Sequence, residues 1–383
     1  MDPSFLLTPE QILLRDTVRA FANAEVVPRA AEIDRTAEFP SDIYKKMAAL
    51  GLLGLMVPAE GGGSGGDTVM QGLAQEELGR ASATVADIQA AALEVAHTLH
   101  THAPATLRER YVERIISGDV VPAFALTEPT AGSDAAGIRT TADRDGDVFV
   151  INGSKQWVTC GKVAEFVVVM AITDRSKQRQ NISAILVDLP TPGVSVGRSE
   201  DLVGIRGTAT ASISFSDCRV PVGHLIGEEG RGLRLGLSQI DKGRISTAGM
   251  AVGISQAALD AALAYAKSRV QFGQPIFEFQ GVQFKLAQMA MRIDAARMLY
   301  LTAAMLRDRG ENSARAASEA KLFASETAAW VTDEAIQVFG GYGYVHDNPV
   351  ERYWRDAKIT QIFEGTSNIQ HIIIARELAK ESK

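Results

Sequence analysis

The order of its sequence patterns limits what this chain can fold into. Helical periodicity comes first, strand alternation second and helical periodicity third, with changes near Val120 and Gly230. A doubly wound nucleotide fold would alternate strand and helix throughout, so this order points instead to an α+β chain of segregated units. Its 383 residues also exceed the size at which one hydrophobic core stops growing, so two or three packed units are expected. We expect a helical unit over residues 1–118, a β unit over 119–229 and a helical bundle over 230–383.

In the first unit, Thr8-Pro9-Glu10-Gln11 combines a capping threonine, a proline at the first helical position and a glutamine at the capping-box position. Leu14, Val18 and Phe21 follow at helical spacing, and Pro28 is expected to close that stretch. A second helix should start after Pro40-Ser41-Asp42 and stop at Gly51. A flexible glycine-rich turn should fill Pro58–Asp67, with alanine-rich helices running on to about Ser117. In the middle unit, Asn152-Gly153 after Asp147–Ile151 is a strong hairpin signal, with a new strand through Trp157. Phe166–Ile172 and Ile182–Val187 read as buried strands, and Ala209–Phe215 alternates apolar and polar side chains without a break. In the last unit, Val282, Leu286, Met289, Ile293, Ala296, Tyr300 and Ala303 step by three and four, the seam of a long bundle helix. Ala320, Phe323, Thr327 and Val331 begin another, with small residues that let helices approach closely.

Charge and motif content remove several classes of function. A net charge of −7 without any long basic run weighs against nucleic acid or an anionic membrane as partner. Cys160 and Cys218 are too few for a disulfide scaffold or a four-cysteine zinc site, and fit a reducing compartment. Met1-Asp2-Pro3-Ser4 lacks the basic and apolar regions of a secretory signal. Leu50–Val57 and Phe166–Ile172 fall short of the ~20 apolar residues a helix needs to cross a bilayer. A cytoplasmic protein without membrane insertion is expected, which makes the sequons at Asn152 and Asn181 chance matches. No dinucleotide fingerprint follows a strand, and Gly61–Gly66 lacks the lysine and hydroxyl of a phosphate loop. His97, His100 and His102 have no flanking ligand at metal spacing apart from Glu94, so a surface helix end and no metal site are expected there. A serine-nucleophile elbow is also missing.

Five segments dense in Gly, Thr, Ser, Glu and Arg remain. They are Phe124–Asp134 (FALTEPTAGSD), Trp157-Val158-Thr159, Asp241–Arg244 (DKGR), Arg269–Gly273 (RVQFG), and Gln337–Gly341 with Phe363–Gln370 (QVFGG and FEGTSNIQ). In this order, within a helix–sheet–helix pattern, they resemble the acyl-CoA dehydrogenase family over essentially the whole chain. Short-chain and branched-chain bacterial members look nearest, and the block from Asp241 to Gln370 runs against them without a gap. The resemblance implies the three-part fold of that family: an N-terminal helical domain, a β-barrel-like middle domain and a C-terminal four-helix bundle. It also implies FAD as cofactor, a short or branched acyl-CoA as substrate, and a place in fatty acid metabolism.

In that reaction a saturated acyl thioester loses an α proton to a base and a β hydride to flavin N5. The proton is weakly acidic, so pre-placed hydrogen-bond donors must meet the charge that develops on the carbonyl. In the family those donors are the backbone N–H of the base and a ribityl hydroxyl. The resemblance puts the base at Glu364, with Gly365 beside it allowing close approach of the chain to substrate. A dry pocket would raise the carboxyl pKa toward working pH, which suits a general base. Some members carry the base on an earlier helix, two residues past the position of Asp241. That place here is Gly243, so Glu364 is left as the one catalytic carboxylate.

The other roles follow from the same resemblance. Asp241, Arg244, Gly365 and Ser133 are expected at the thioester and CoA chain. Phe124, Leu126, Thr127, Gly132, Ser133, Trp157, Val158 and Thr159 are expected at the flavin, with Trp157 packed on the isoalloxazine and the Thr159 hydroxyl near N5. Arg269, Phe272, Gln280, Gln337, Val338, Gly340 and Gly341 should reach the FAD of a neighbouring subunit, Arg269 pairing with the pyrophosphate. Thr366 and Asn368 fall on the adenosine side. The site would then be complete only in a dimer, and the family pattern implies a homotetramer built as a dimer of dimers. An electron-transfer flavoprotein is the implied acceptor.

Three departures from the family pattern bear on the substrate. Phe363 stands where tyrosine is usual, Thr130 replaces a glycine, and Cys160 follows Thr159 where asparagine is usual. Alternative readings are an acyl-CoA oxidase or flavin monooxygenase, a dehydrogenase of carrier-protein-bound acyl or aminoacyl groups, and a flavin-free binding relative. Glu364 counts against the monooxygenase, Asp241 and Arg244 favour CoA, and the retained flavin segments weigh against a flavin-free protein. The floor of the acyl pocket is expected from the helices around Ile88–Leu99 and Gly249–Gly253.

Overall fold

A computed structural model describes residues 3–177 and 181–381; Met1 and Asp2, part of the segment read for a leader, lie outside them. The N-terminal helices are α1 (Pro9–Phe21), α2 (Ala30–Thr36), α3 (Ser41–Ala49), α4 (Thr68–Ala81), α5 (Ala83–His102) and α6 (Ala105–Ile116). The capping box forms as read: the Gln11 N–H donates to Thr8 Oγ1 at 3.3 Å, and the Thr8 N–H to Gln11 Oε1 at 3.0 Å. Pro28 does not end the helical path. A π turn over Ala22–Val26 and a 3-10 turn over Val27–Arg29 carry the chain into α2. Proline sits in the first turn there, where its missing N–H has no partner to lose. The glycine-rich turn is packed rather than loose. A Cβ at Gly63 would lie 2.1 Å from the Val57 carbonyl oxygen, and Asp67 caps α4 through a 2.7 Å bond from the Met70 N–H.

Strands replace helices between Ile116 and Pro122. They are β1 (Pro122–Ala125), β2 (Thr141–Asp145), β3 (Val148–Val158), β4 (Phe166–Ile172), β5 (Ile182–Asp188), β6 (Val194–Ser199), β7 (Ala211–Pro221) and β8 (Leu225–Ile226). They form one mixed sheet in the order β6-β7-β3-β2-β4-β5-β8, with β1 parallel to β4. Phe166, Val168 and Met170 of β4 join the core shared with the helices. Val167, Val169 and Ala171 join Phe149, Ile151, Ile213 and Phe215 of β3 and β7 in a separate core. The sheet therefore curls over its own interior, as the barrel-like expectation has it. Burial on both faces explains why β4 is a continuous apolar run, whereas β7 alternates.

Two local readings change. Asn152-Gly153 is not a turn but a bulge inside β3, where the register against β7 shifts between Ile151 and Gly153. Tertiary contacts override the dipeptide: Asn152 exchanges hydrogen bonds with Asp217, and Gly153, at φ 149°, lies against Thr140. The real β2–β3 turn is at Gly146-Asp147, between the paired Asp145 and Val148. Strand β7 begins at Ala211 rather than Ala209, because Ala209 holds φ 52° in the turn before it.

Helices return with α7 (Gly232–Ser268), a short hairpin of β9 (Val270–Gln271) and β10 (Gln274–Pro275), then α8 (Gln280–Asp308), α9 (Ala314–Phe339), α10 (Val350–Ile359) and α11 (Ser367–Glu381). The α8 seam is inward as read, with Leu286, Met289, Ile293, Ala296, Tyr300 and Ala303 buried. α7, α8 and α9 pack on one another, and α4 joins them from the N-terminal part. Gly249 and Gly253 make the α4–α7 crossing close. Cβ atoms there would lie 2.5 Å from the Gly72 carbonyl oxygen and 2.1 Å from that of Glu76. These glycines therefore seat α7 on α4; they do not line the cavity described next.

Candidate active site

Glu364 stands in the turn between α10 and α11 with φ 53°, followed by Gly365 at φ 88°. A left-handed glutamate is strained, so neighbours must hold it. Lys321 Nζ, from the buried face of α9, donates to the Gly365 carbonyl at 2.7 Å. Gln370 Nε2 donates to the carbonyls of Glu364 and Gly365 at 3.1 and 2.8 Å. The turn thus presents the Glu364 carboxyl inward, where Oε2 is buried without a hydrogen-bond partner. Gly243 on α7 leaves the room. A Cβ at that position would lie 2.4 Å from Glu364 Oε2.

Burial pushes the Glu364 carboxyl up to about 7, and the charge of Asp87 adds to the effect while Lys321 and Arg244 oppose it. Burial, then Glu364 and Asp87, also hold the Glu94 carboxyl well above its usual range. Glu94 and Glu364 line one small cavity of about 30 Å³, with Gln239 of α7 and apolar Phe124 and Val168 from β1 and β4. Arg244 pairs with Asp241 one helical turn away, yet this is no surface pair. Arg244 is buried and its Nε has no hydrogen-bond partner.

A second group borders the sheet. Lys155 and Glu128 form a buried pair at 2.7 Å, Lys155 also bonds the Leu126 carbonyl, and the Gln156 N–H bonds the Thr127 carbonyl. These bonds staple the loop after β1 to the end of β3. Leu126 and Thr127 thereby come beside Trp157-Val158-Thr159. Val158 is buried in the sheet, whereas Trp157 is 57% exposed with φ 57°. Gly132 and Ser133 are exposed further along the loop.

A third group lies elsewhere. Arg269 sits with its guanidinium carbon 5.2 Å from the Tyr342 ring centre, in an open groove shared with Val338, Gly340 and Gly341. Phe272 is 95% exposed at φ 51°, and Gln280 and Gln337 are exposed. This groove shares no lining residue with the Glu364 cavity, so one chain does not bring the third group to Glu364. Thr366 directly precedes α11 and Asn368 lies in its first turn, next to Glu364, half-buried and exposed respectively.

Sequence reasoning gives no site role to Lys321, Asp87 or Glu94, and includes Gln370 only as the end of the FEGTSNIQ segment. Their signal is a polar group within an apolar pattern: Lys321 follows Ala320 of a helix seam, and Glu94 interrupts Ala90-Ala91-Ala92-Leu93 and Val95-Ala96. His97 is not on the surface. It is half-buried against Lys242 Nζ at 3.0 Å, and burial together with Lys242 lowers its pKa to about 4. Among the described residues no helix is long and apolar enough to cross a membrane, and no group of His, Cys, Asp and Glu could hold a metal ion.

The residues present fit a large planar dinucleotide. Trp157 and Phe272 offer unusually exposed aromatic faces, and the space where a Cβ would stand is open at Gly132, Gly273, Gly340 and Gly341. Backbone left bare in this way can be approached by phosphates, and aromatic ledges by a flavin ring. Residues of this kind suit a flavin dinucleotide. Family models for the acyl-CoA dehydrogenase N-terminal, middle and C-terminal domains match residues 8–119, 123–218 and 230–379. A probable acyl-CoA dehydrogenase of Bacillus subtilis is 47% identical over 98% of this chain and 100% of its own length. The short-chain specific acyl-CoA dehydrogenase of Mus musculus is 45% identical over 96% of this chain and 90% of its own. The structure of butyryl-CoA dehydrogenase from Megasphaera elsdenii superposes with a TM-score of 0.94 at 38% identity, covering 97% of this chain and 99% of that one. The chain belongs to the acyl-CoA dehydrogenase family, is an oxidoreductase, and uses FAD.

Proposed function

We propose that this enzyme converts a short or branched acyl-CoA into its 2-enoyl-CoA, with Glu364 as the base that removes the α proton. One observation carries the reading. The Glu364 carboxyl has a buried, unpartnered oxygen, faces a mostly apolar cavity, and is raised to about 7. Such a group accepts a proton near neutral pH without a competing hydrogen bond. Its own N–H makes no hydrogen bond among the described residues, which leaves it free to donate to the thioester carbonyl as charge develops there. Gly243 supports a single base, because a side chain at that position would collide with Glu364.

Bound FAD supplies the acceptor for the β hydride at flavin N5. Phe124, Leu126, Thr127, Gly132, Ser133, Trp157, Val158 and Thr159 would hold its ring side. Thr366 and Asn368 would meet its adenosine side. Asp241, Arg244, Ser133 and Gly365 would position the thioester and CoA chain. Arg269, Phe272, Gln280, Gln337, Val338, Gly340 and Gly341 would serve the FAD of a second subunit. The separation of their groove from the Glu364 cavity supports that assignment. A homotetramer of paired dimers and an electron-transfer flavoprotein as acceptor complete the reading, both on family membership. The division at residues 118 and 229 is supported by the changes of element type after Ile116 and after Ile226. A cytoplasmic location fits the two buried free thiols.

Anaerobic mixing of the holoenzyme with a panel of acyl-CoAs tests the proposal. Short or branched chains should bleach the flavin. Glu364→Gln should keep FAD and bind acyl-CoA but lose turnover by ~10²–10⁴-fold. A near wild-type rate in the Glu364→Gln enzyme refutes the role of the base. Reoxidation by air as fast as by an artificial acceptor would make the enzyme an oxidase instead.

A further inference from the structure

Glu94 is a half-buried acid for which proton abstraction has no use. It lies on α5 in an alanine-rich stretch that otherwise buries apolar surface, and it faces the same cavity as Glu364. Its carboxyl makes no hydrogen bond or ion pair among the described residues. Beyond the helix ladder, its backbone carbonyl accepts a bond from the Thr98 hydroxyl at 2.7 Å, which also occupies that hydroxyl. On α7, Gln239 lines the cavity too. It is 5% exposed, and its Oε1 is buried with no partner. Thr98 lines the cavity as well, and the wall beyond these residues and Glu364 is apolar: Val95, Phe124, Val168 and Ile240.

Buried polar atoms are normally satisfied, so the unpartnered Gln239 Oε1, with the unbonded Glu94 carboxyl on the same cavity, marks a place where a ligand completes the bonding. We propose that Glu94 and Gln239 form a polar subsite of the acyl cavity, selecting chains that end in a neutral hydrogen-bond donor, such as a hydroxyl, over alkyl chains of equal length. This rests on reading the cavity beside Glu364 as the acyl site. A hydroxyl can donate to the Gln239 carbonyl oxygen or to the Glu94 carboxyl and accept a bond in return, which a methyl cannot do. Burial favours the protonated form of Glu94. Of the charged groups that act on it, Glu364 and Asp87 favour that form and Lys242 alone opposes it. A neutral partner therefore suits the subsite. A terminal carboxylate would enter a dry space beside Glu364 and Asp87, and is rejected.

Sites built to hydrogen-bond a substrate group discriminate against the analogue lacking it far more strongly than apolar pockets discriminate by one methylene. The test is anaerobic flavin reduction in the holoenzyme by 4-hydroxybutyryl-CoA, pentanoyl-CoA and glutaryl-CoA. The first two have acyl chains of equal heavy-atom length. The hydroxyl-bearing chain should show kcat/KM at least about tenfold above pentanoyl-CoA, with glutaryl-CoA inert. Glu94→Leu should reverse the order of the first two, and Glu94→Gln, which keeps a neutral polar group, should preserve it. Flavin content of each variant reports folding, and the wild-type ratio decides the matter even if a variant fails to fold. Pentanoyl-CoA equal to or better than 4-hydroxybutyryl-CoA in the wild type overturns the subsite while leaving the dehydrogenase standing. Reduction by none of these chains, nor by butyryl-CoA, overturns the dehydrogenase reading and the subsite together.

Discussion

Replacing Gly243 by alanine tests the placement of the base without altering its chemistry. The added Cβ would stand 2.4 Å from Glu364 Oε2 and 2.7 Å from its Cδ, where ordinary contact begins at 3.4 Å. The carboxylate must therefore retreat by about 1 Å, and a misplacement of about 1 Å at a reacting group lowers rates ~10²-fold. Stability should move the other way. The crowded atoms are the far end of a side chain rather than backbone, and alanine exceeds glycine by up to ~1 kcal/mol inside a helix such as α7. The expected Gly243→Ala enzyme thus has an unchanged or higher Tm, unchanged FAD content, and a rate of flavin reduction about 10²-fold lower in anaerobic stopped flow. A rate within about threefold of wild type would show that Glu364 does not act from this position. Activity lost only in step with FAD would show the same.

Three further outcomes are expected. The base is the ionised form of Glu364, so kcat/KM should rise with pH through about 7 and level off above it. The same raised pKa means that Glu364 favours folding most below its ordinary value of 4.5 and progressively less as pH rises toward about 7. The Tm advantage of Glu364→Gln over wild type should therefore grow across that range, and a constant difference contradicts the buried carboxyl. Lys321→Met removes both the bond to the Gly365 carbonyl and a cation that opposes the rise at Glu364. Its pH profile should move to higher pH, and kcat/KM at neutral pH should fall about tenfold for every pH unit by which the midpoint rises; an unmoved midpoint sinks the positioning role. Arg269→Ala should lose about half or more of its FAD on gel filtration while the flavin that remains reacts normally, and an unchanged flavin-to-protein ratio argues against the cross-subunit contact.

Much of the fold was written locally. The seam from Leu286 to Ala303, the double-faced run Phe166–Ile172 and the capping box at Thr8 depend on neighbours within a turn or a strand, and each forms where its pattern lies. The readings that changed were overridden from a distance: Asn152-Gly153 by Asp217 and Thr140, and the flexibility of the Gly61–Gly66 turn by Val57 and His100. The site divides in the same way. Sequence alone named Glu364, Gly365, Asp241, Gly243, Arg244 and Phe124, because residue type and order are enough to mark a segment as chemical. It could not show that Gly243 is the space Glu364 occupies, that Lys321 and Gln370 hold the turn, or that Glu94 shares a cavity with a Gln239 oxygen buried without a partner. Those facts belong to tertiary structure. Desolvation, charge coupling and an unsatisfied hydrogen bond arise only when residues far apart in the chain exclude water from the same space.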